Sequence, residues 1–123
     1  MLIPHLHFGH DCADAIALYE KAFNTKAYGY DIIGGKIAHA CMDIHGQPVW
    51  LNEAREHLKD GFGVECVAHL FVTFKTPEEL LACYEHFKPH LRVPAVFGEA
   101  PYCKLGGNFL DDFGVLWGFM TEQ

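Results

Sequence analysis

The pattern of apolar and polar positions runs through the chain twice. Lys36 to Trp50 reads KIAHACMDIHGQPVW, and Lys104 to Trp117 reads KLGGNFLDDFGVLW. At a spacing of 68 residues (104 minus 36), Lys36 falls on Lys104, Met42 on Leu110, Asp43 on Asp111 and Gly46 on Gly114. Each stretch has the form of a hairpin, with an apolar arm, an Asp close to a Gly, and a second apolar arm reaching Trp. Gly suits the positive φ of a tight turn, and Asp can hydrogen-bond turn backbone. The flanks repeat too. HLHF at His5–Phe8 precedes a run carrying Tyr19, Glu20 and Phe23, and HLFVTF at His69–Phe74 precedes one carrying Tyr84, Glu85 and Phe87. The spacing there is 64 or 65 (69 minus 5, 84 minus 19), a drift that small insertions between matched elements produce. The chain reads as two copies of one unit.

Within that frame, Leu2 to Phe8 alternates as a short strand with His5 and His7 on one face. Asp11 predicts a helix N-cap, Ile16, Tyr19 and Phe23 follow at helical spacing, and Asn24 ends the helix. Lys26 to Ile33 reads as a strand, and Gly34-Gly35 as a two-residue turn into the first repeated hairpin. Asn52 to Gly63 is a polar connector. Glu65 to Phe74 predicts the next strand. Thr76-Pro77-Glu78-Glu79 is a capping box with Pro at the first helical position. Leu80, Leu81, Tyr84 and Phe87 give that helix its apolar stripe, and Pro89 stops it. Arg92 to Phe97, Tyr102 to Leu110 and Val115 to Met120 complete the second unit. The expectation is an α+β fold of two βαβββ units, about 2–53 and 65–120, forming a single domain over 1–123. Their curved four-stranded sheets form a groove, with the helices outside.

Composition narrows the functions. Half of the 123 residues are hydrophobic and the net charge is −7, with nine Lys and Arg, which argues against nucleic-acid or anionic-membrane binding. No apolar run approaches the length of a membrane span, and Met1 to Phe8 lacks the parts of a signal peptide. The five cysteines are odd in number and include no C-x-x-C pair, so they read as small hydrophobes in a reducing, cytoplasmic setting. Cys103 lies beside Lys104, but no base is identifiable next to it that would make it a nucleophile. No Ser-His-Asp context, phosphate loop or dinucleotide fingerprint is present.

Three pieces, PHLHFGHDCADAIALYEKAF, KIAHACMDIHG and FLDDFGVLWGF, carry a family resemblance over nearly the whole chain. Together they resemble the vicinal-oxygen-chelate superfamily of glyoxalase and bleomycin-resistance-like proteins, most closely its PhnB-like branch. The last piece is similar to that family's D-P-F-G-V-x-W signature, with Asp112 in place of Pro. The resemblance implies a divalent metal in the metal-dependent members, held by His on opening strands and Glu on closing strands. His5 and His69 are the matching imidazoles, with His7 or His39 as further candidates. The carboxylate positions, however, hold Trp50 and Gly118, leaving two ligands where a catalytic zinc normally keeps three.

By alternation Trp50, Phe71 and Met120 join His5, His7 and His69 on the groove face. The function this favours is small-molecule binding or sequestering in an apolar groove, with no cofactor expected although a divalent metal is possible. The alternatives are a metal-dependent lyase, isomerase or dioxygenase, and a domain whose groove serves only assembly. Exposed sheet edges and the resemblance both point to a homodimer.

Overall fold

The computed structural model describes residues 1–53 and 69–122. Most of the expected connector and the expected strand start at Glu65 lie outside the described residues. The chain divides into two compact units, Met1–Cys66 and Val67–Gln123.

The first unit runs β1 (His5–His7), α1 (Cys12–Ala22), β2 (Tyr28–Ile33), β3 (Lys36–Ile44) and β4 (Gln47–Asn52). Its four-stranded sheet has the order β1-β4-β3-β2, with β1 parallel to β4 and the other neighbours antiparallel. β1 is shorter than the alternation suggested, although Trp50 N–H still donates to the Pro4 carbonyl at 2.9 Å. Gly34 and Gly35 (φ 59° and 78°) make the β2–β3 turn, and His45 and Gly46 (φ 48° and 81°) make the β3–β4 turn. Both pairs supply the two positive φ angles that twist a two-residue hairpin correctly.

Helix α1 ends as expected. Asn24 sits at φ 49° after it, and Thr25 N–H bonds back to the Glu20 carbonyl at 3.1 Å, closing a Schellman turn. Its start differs from expectation. Asp11 has φ −102° and ψ 13°, outside the extended region a capping side chain needs, and makes no side-chain cap bond. Its carbonyl accepts from Ala15 N–H, while its buried Oδ1 meets no hydrogen-bond partner among the described residues. The helix therefore begins through backbone alone.

The second unit runs β5 (Leu70–Phe74), α2 (Pro77–Phe87), a 3-10 turn (Lys88–His90), β6 (Leu91–Val93), β7 (Gly98–Ala100), β8 (Cys103–Asp111) and β9 (Leu116–Thr121). Its sheet has the order β5-β9-β8-β6, and β7 also pairs with β8. The strand expected over Arg92–Phe97 is strand only at Arg92 and Val93, within β6, and a further short strand β7 follows at Gly98–Ala100, making this sheet five-stranded where four were expected. Pro94 supplies the break, because it has no N–H to give a ladder. Ala95 N–H instead donates to the Tyr84 hydroxyl at 2.9 Å. Thr76 caps α2, its Oγ1 accepting from Glu79 N–H at 3.2 Å.

Each core lies between a helix and one sheet face. In the first unit Phe8, Tyr19, Ala40, Met42 and Leu51 are fully or almost fully buried. In the second, Phe87 of α2 packs on Phe109, Trp117 and Phe119 with ring centroids 5.0, 5.7 and 5.8 Å away. Asp111 is buried with them. Its Oδ1 accepts from Phe113 and Val115 N–H, and its Oδ2 from Trp117 Nε1, each at 2.9 Å. Its counterpart Asp43 is exposed and accepts from the Tyr28 hydroxyl at 3.0 Å.

Candidate functional site

The face of the first sheet turned away from α1 collects the unusual chemistry. On β3, Ala40, Met42 and Ile44 are buried while His39, Cys41 and Asp43 alternate with them on the other face. The register lines up His5 of β1, Trp50 of β4, Cys41 of β3 and Tyr28 of β2 in one row across the sheet. His5 and His39 both stand edge-on to the Trp50 indole, with centroids 5.8 and 5.0 Å away and planes at 85° and 78°. The indole keeps 37% of its surface exposed. His7 lies 4.2 Å from His5, and its Nδ1 is 2.8 Å from Oδ1 of Asn52.

Partial burial pushes the His5 imidazole below its ordinary value, and the neighbouring imidazoles of His7 and His39 push the same way. The Tyr28 phenol is raised, chiefly by its hydrogen bond to Asp43. Cys41 Sγ lies 3.3 Å from His39 Nε2, within hydrogen-bond reach for sulfur.

The corresponding face of the second sheet is built differently. Its register sets Phe71 opposite Gly118 and Gly118 opposite Asn108. Gly118 matches Trp50 in the repeat, so the residue matching His5 is Phe71, at a spacing of 66 (71 minus 5). His69, expected to match His5, lies one strand pleat further out, just before β5, with its ring 5.1 Å from that of Phe71. A Cβ at position 118 would lie 2.6 Å from Cε2 of Phe71 and 2.9 Å from Oδ1 of Asn108. The phenyl ring thus fills the place of the side chain Gly118 lacks. Met120 is half-buried beside Gly106 and Thr73.

The sequence-predicted site residues therefore fall into two sets, His5, His7 and Trp50 with His39 in the first unit, and His69, Phe71 and Met120 in the second. Among the described residues, no group of three His, Cys, Asp or Glu side chains is arranged to hold a metal ion. His39 and Cys41 as a pair escaped the sequence reading, although residues two apart on a strand share a face.

No protein-family model matches the chain, and no curated protein sequence matches it. Solved structures do. The PhnB protein from Bacillus cereus is 20% identical with a TM-score of 0.78, each chain covered to 98%. The fosfomycin resistance protein FosX from Listeria monocytogenes is 14% identical with a TM-score of 0.70, covering 100% of this chain and 93% of its own. Lactoylglutathione lyase from Agrobacterium tumefaciens is 15% identical with a TM-score of 0.61, covering 98% and 92%. The fold is therefore that of the vicinal-oxygen-chelate superfamily. The likeness in fold to the PhnB protein extends over 98% of the chain. No helix among the described residues is long and apolar enough to cross a membrane.

Proposed function

We propose that the chain binds or sequesters a small molecule, using the exposed Trp50 face of its first sheet. The observation that carries this is the half-open indole with two imidazoles standing edge-on around it. A planar apolar group gains area and stacking on such a ring, and imidazole N–H groups beside it fix polar substituents. The apolar groove is part of this reading, with Trp50 as its floor in the first unit. The same chemistry favours binding over metal-dependent lyase, isomerase or dioxygenase activity, because Trp50 and Gly118 bring no donor atoms where relatives of this fold would place carboxylates.

The test is titration with 8-anilinonaphthalene-1-sulfonate, a planar apolar probe. Trp50→Ala should weaken binding about tenfold, the equivalent of about 1.4 kcal/mol. Unchanged affinity would remove the basis of the reading. Elemental analysis finding one tightly held metal per chain would instead promote the metal-dependent enzyme.

The reading includes a homodimer formed through β2. That strand ends its sheet, all six of its residues are exposed, and Tyr28, Tyr30, Ile32 and Ile33 each keep 47–65% of their surface. Among the described residues nothing pairs its outer edge. An antiparallel strand edge is complementary to itself under a two-fold axis, so a second copy satisfies it without a different partner. Light scattering should return twice the 13.9 kDa chain mass, falling toward one chain mass on Ile32→Lys. A wild-type mass of 13.9 kDa at micromolar concentration would refute it.

A further inference from the structure

The described cysteines are not alike. Cys12 and Cys83 are buried under their helices, and burial pushes both thiols up to about 12, with Glu53 and Asp11 adding to the effect at Cys12. Cys103 is buried as well. These three are protected from chemistry with solutes, because an inaccessible thiol is a poor nucleophile. Cys41 is half-buried on the open face, and it has an imidazole nitrogen 3.3 Å from its sulfur.

A second feature opens its flank. The β2 ladder is irregular between Tyr28 and Asp31, and Gly29 stands there at φ +64°. A Cβ on Gly29 would lie in ordinary contact with Cys41 Sγ at 3.5 Å, so a side chain there would stand beside the sulfur. Glycine, which alone takes this φ without cost, leaves that approach uncovered. On the other side Trp50 is the cross-strand partner of Cys41, an apolar platform beside the thiol.

We infer that Cys41 and His39 form a nucleophile–base pair that adds to soft carbon electrophiles of the α,β-unsaturated carbonyl class lying against Trp50. A thiol and a base within hydrogen-bond reach are the structural signature of an activated nucleophile. In the step, the Cys41 thiol gives its proton to His39 Nε2. The freed sulfur lone pair forms an S–C bond to the β-carbon. The alkene π pair shifts onto the α-carbon and carbonyl as an enolate, which takes the proton back from the imidazolium at the α-carbon. The net change is addition of S–H across C=C, with no leaving group and no oxidant or reductant.

The charged and titratable groups around the pair come from three strands. His5 and His7 stand on β1, Asp43 shares β3, and β2 contributes Tyr28 opposite Cys41 and Asp31 opposite His39. Trp50 is the β4 neighbour and does not titrate.

N-ethylmaleimide, itself an α,β-unsaturated carbonyl, tests the inference on the intact chain. Its rate of addition is read at the Cys41 peptide by mass spectrometry, separately from the other four cysteines. An isolated thiol titrates near pH 8.5, so its rate falls about tenfold for each pH unit below that. With the imidazole as base, the Cys41 rate should fall only about threefold between pH 8.5 and 6.5, because proton removal by the neighbouring nitrogen replaces the loss of free thiolate. His39→Gln should restore the steep profile and slow labelling at pH 6.5 at least about tenfold. If that variant fails to fold, the wild-type profile decides by itself. A tenfold loss per unit in wild type, or identical profiles with and without His39, overturns the pairing. The measurement needs no bound ligand, so it can fail while the Trp50 binding reading stands, and the reverse.

Discussion

Asp111→Ala is expected to lower stability by about 3–5 kcal/mol, the range for breaking a buried, fully hydrogen-bonded carboxylate network. Its side chain is fully buried and serves three donors, the N–H groups of Phe113 and Val115 and the indole of Trp117. Alanine would leave all three without their acceptor, and no exposed route lets water take its place at Trp117, whose relative exposure is 0%. Asparagine is the gentler probe, since it keeps the shape but points an N–H₂ group at one donor. The control is built into the chain. Asp43 occupies the matching place in the other hairpin but holds one exposed hydroxyl at 3.0 Å, so Asp43→Ala should cost under about 1 kcal/mol. Urea unfolding of the two variants side by side decides the matter. Similar losses would mean that Asp111 does not organise its turn.

Phe87→Ala should be the comparably severe change in the apolar core, at about 3–5 kcal/mol. Phe87 is fully buried at the meeting point of Phe109, Trp117 and Phe119, so its removal leaves a void that three other rings, each fixed on the sheet, cannot close together. Phe87→Leu, which refills most of the volume, should recover more than half of the loss. In a thermal melt the alanine variant should drop by roughly 10 °C or more, taking a few degrees per kcal/mol for a chain of this size. A shift below about 3 °C would show that the aromatic cluster repacks around the gap.

Much of this architecture was legible in the sequence, for reasons visible at particular residues. The hairpins announced themselves because turn chemistry is local, with Gly34-Gly35 and Gly46 at the turns where positive φ is needed. Thr76-Pro77 marked α2 to the residue, since that cap depends on side chains within three positions. What escaped depends on neighbours distant in sequence. Asp11 has the right side chain for a cap, yet its backbone leaves the position that would aim it. The opening strands were matched by their shared HLHF and HLF letters, which put His69 on His5. The sheet ladder puts Phe71 there instead. A shift of two residues keeps every side chain on its own face, so alternation could not detect it. The Cys41–His39 pair was hidden for a related reason. Strand spacing placed both on one face, but what flanks the sulfur is Gly29, twelve residues earlier on the neighbouring strand.

The phenyl ring over Gly118 bears on how the two halves have diverged. A single change of Gly118 to glutamate does not simply add a carboxylate to β9, because its Cβ would enter space held by Phe71 at 2.6 Å. Position 71 has to give way first, and a smaller residue there would uncover the backbone at Gly118. Positions 71 and 118 are therefore coupled, and a side chain can enter at 118 only together with a change at 71. The two repeats use the matching place differently: in the second Phe71 covers a backbone glycine, and in the first Trp50 stands among imidazoles and a thiol.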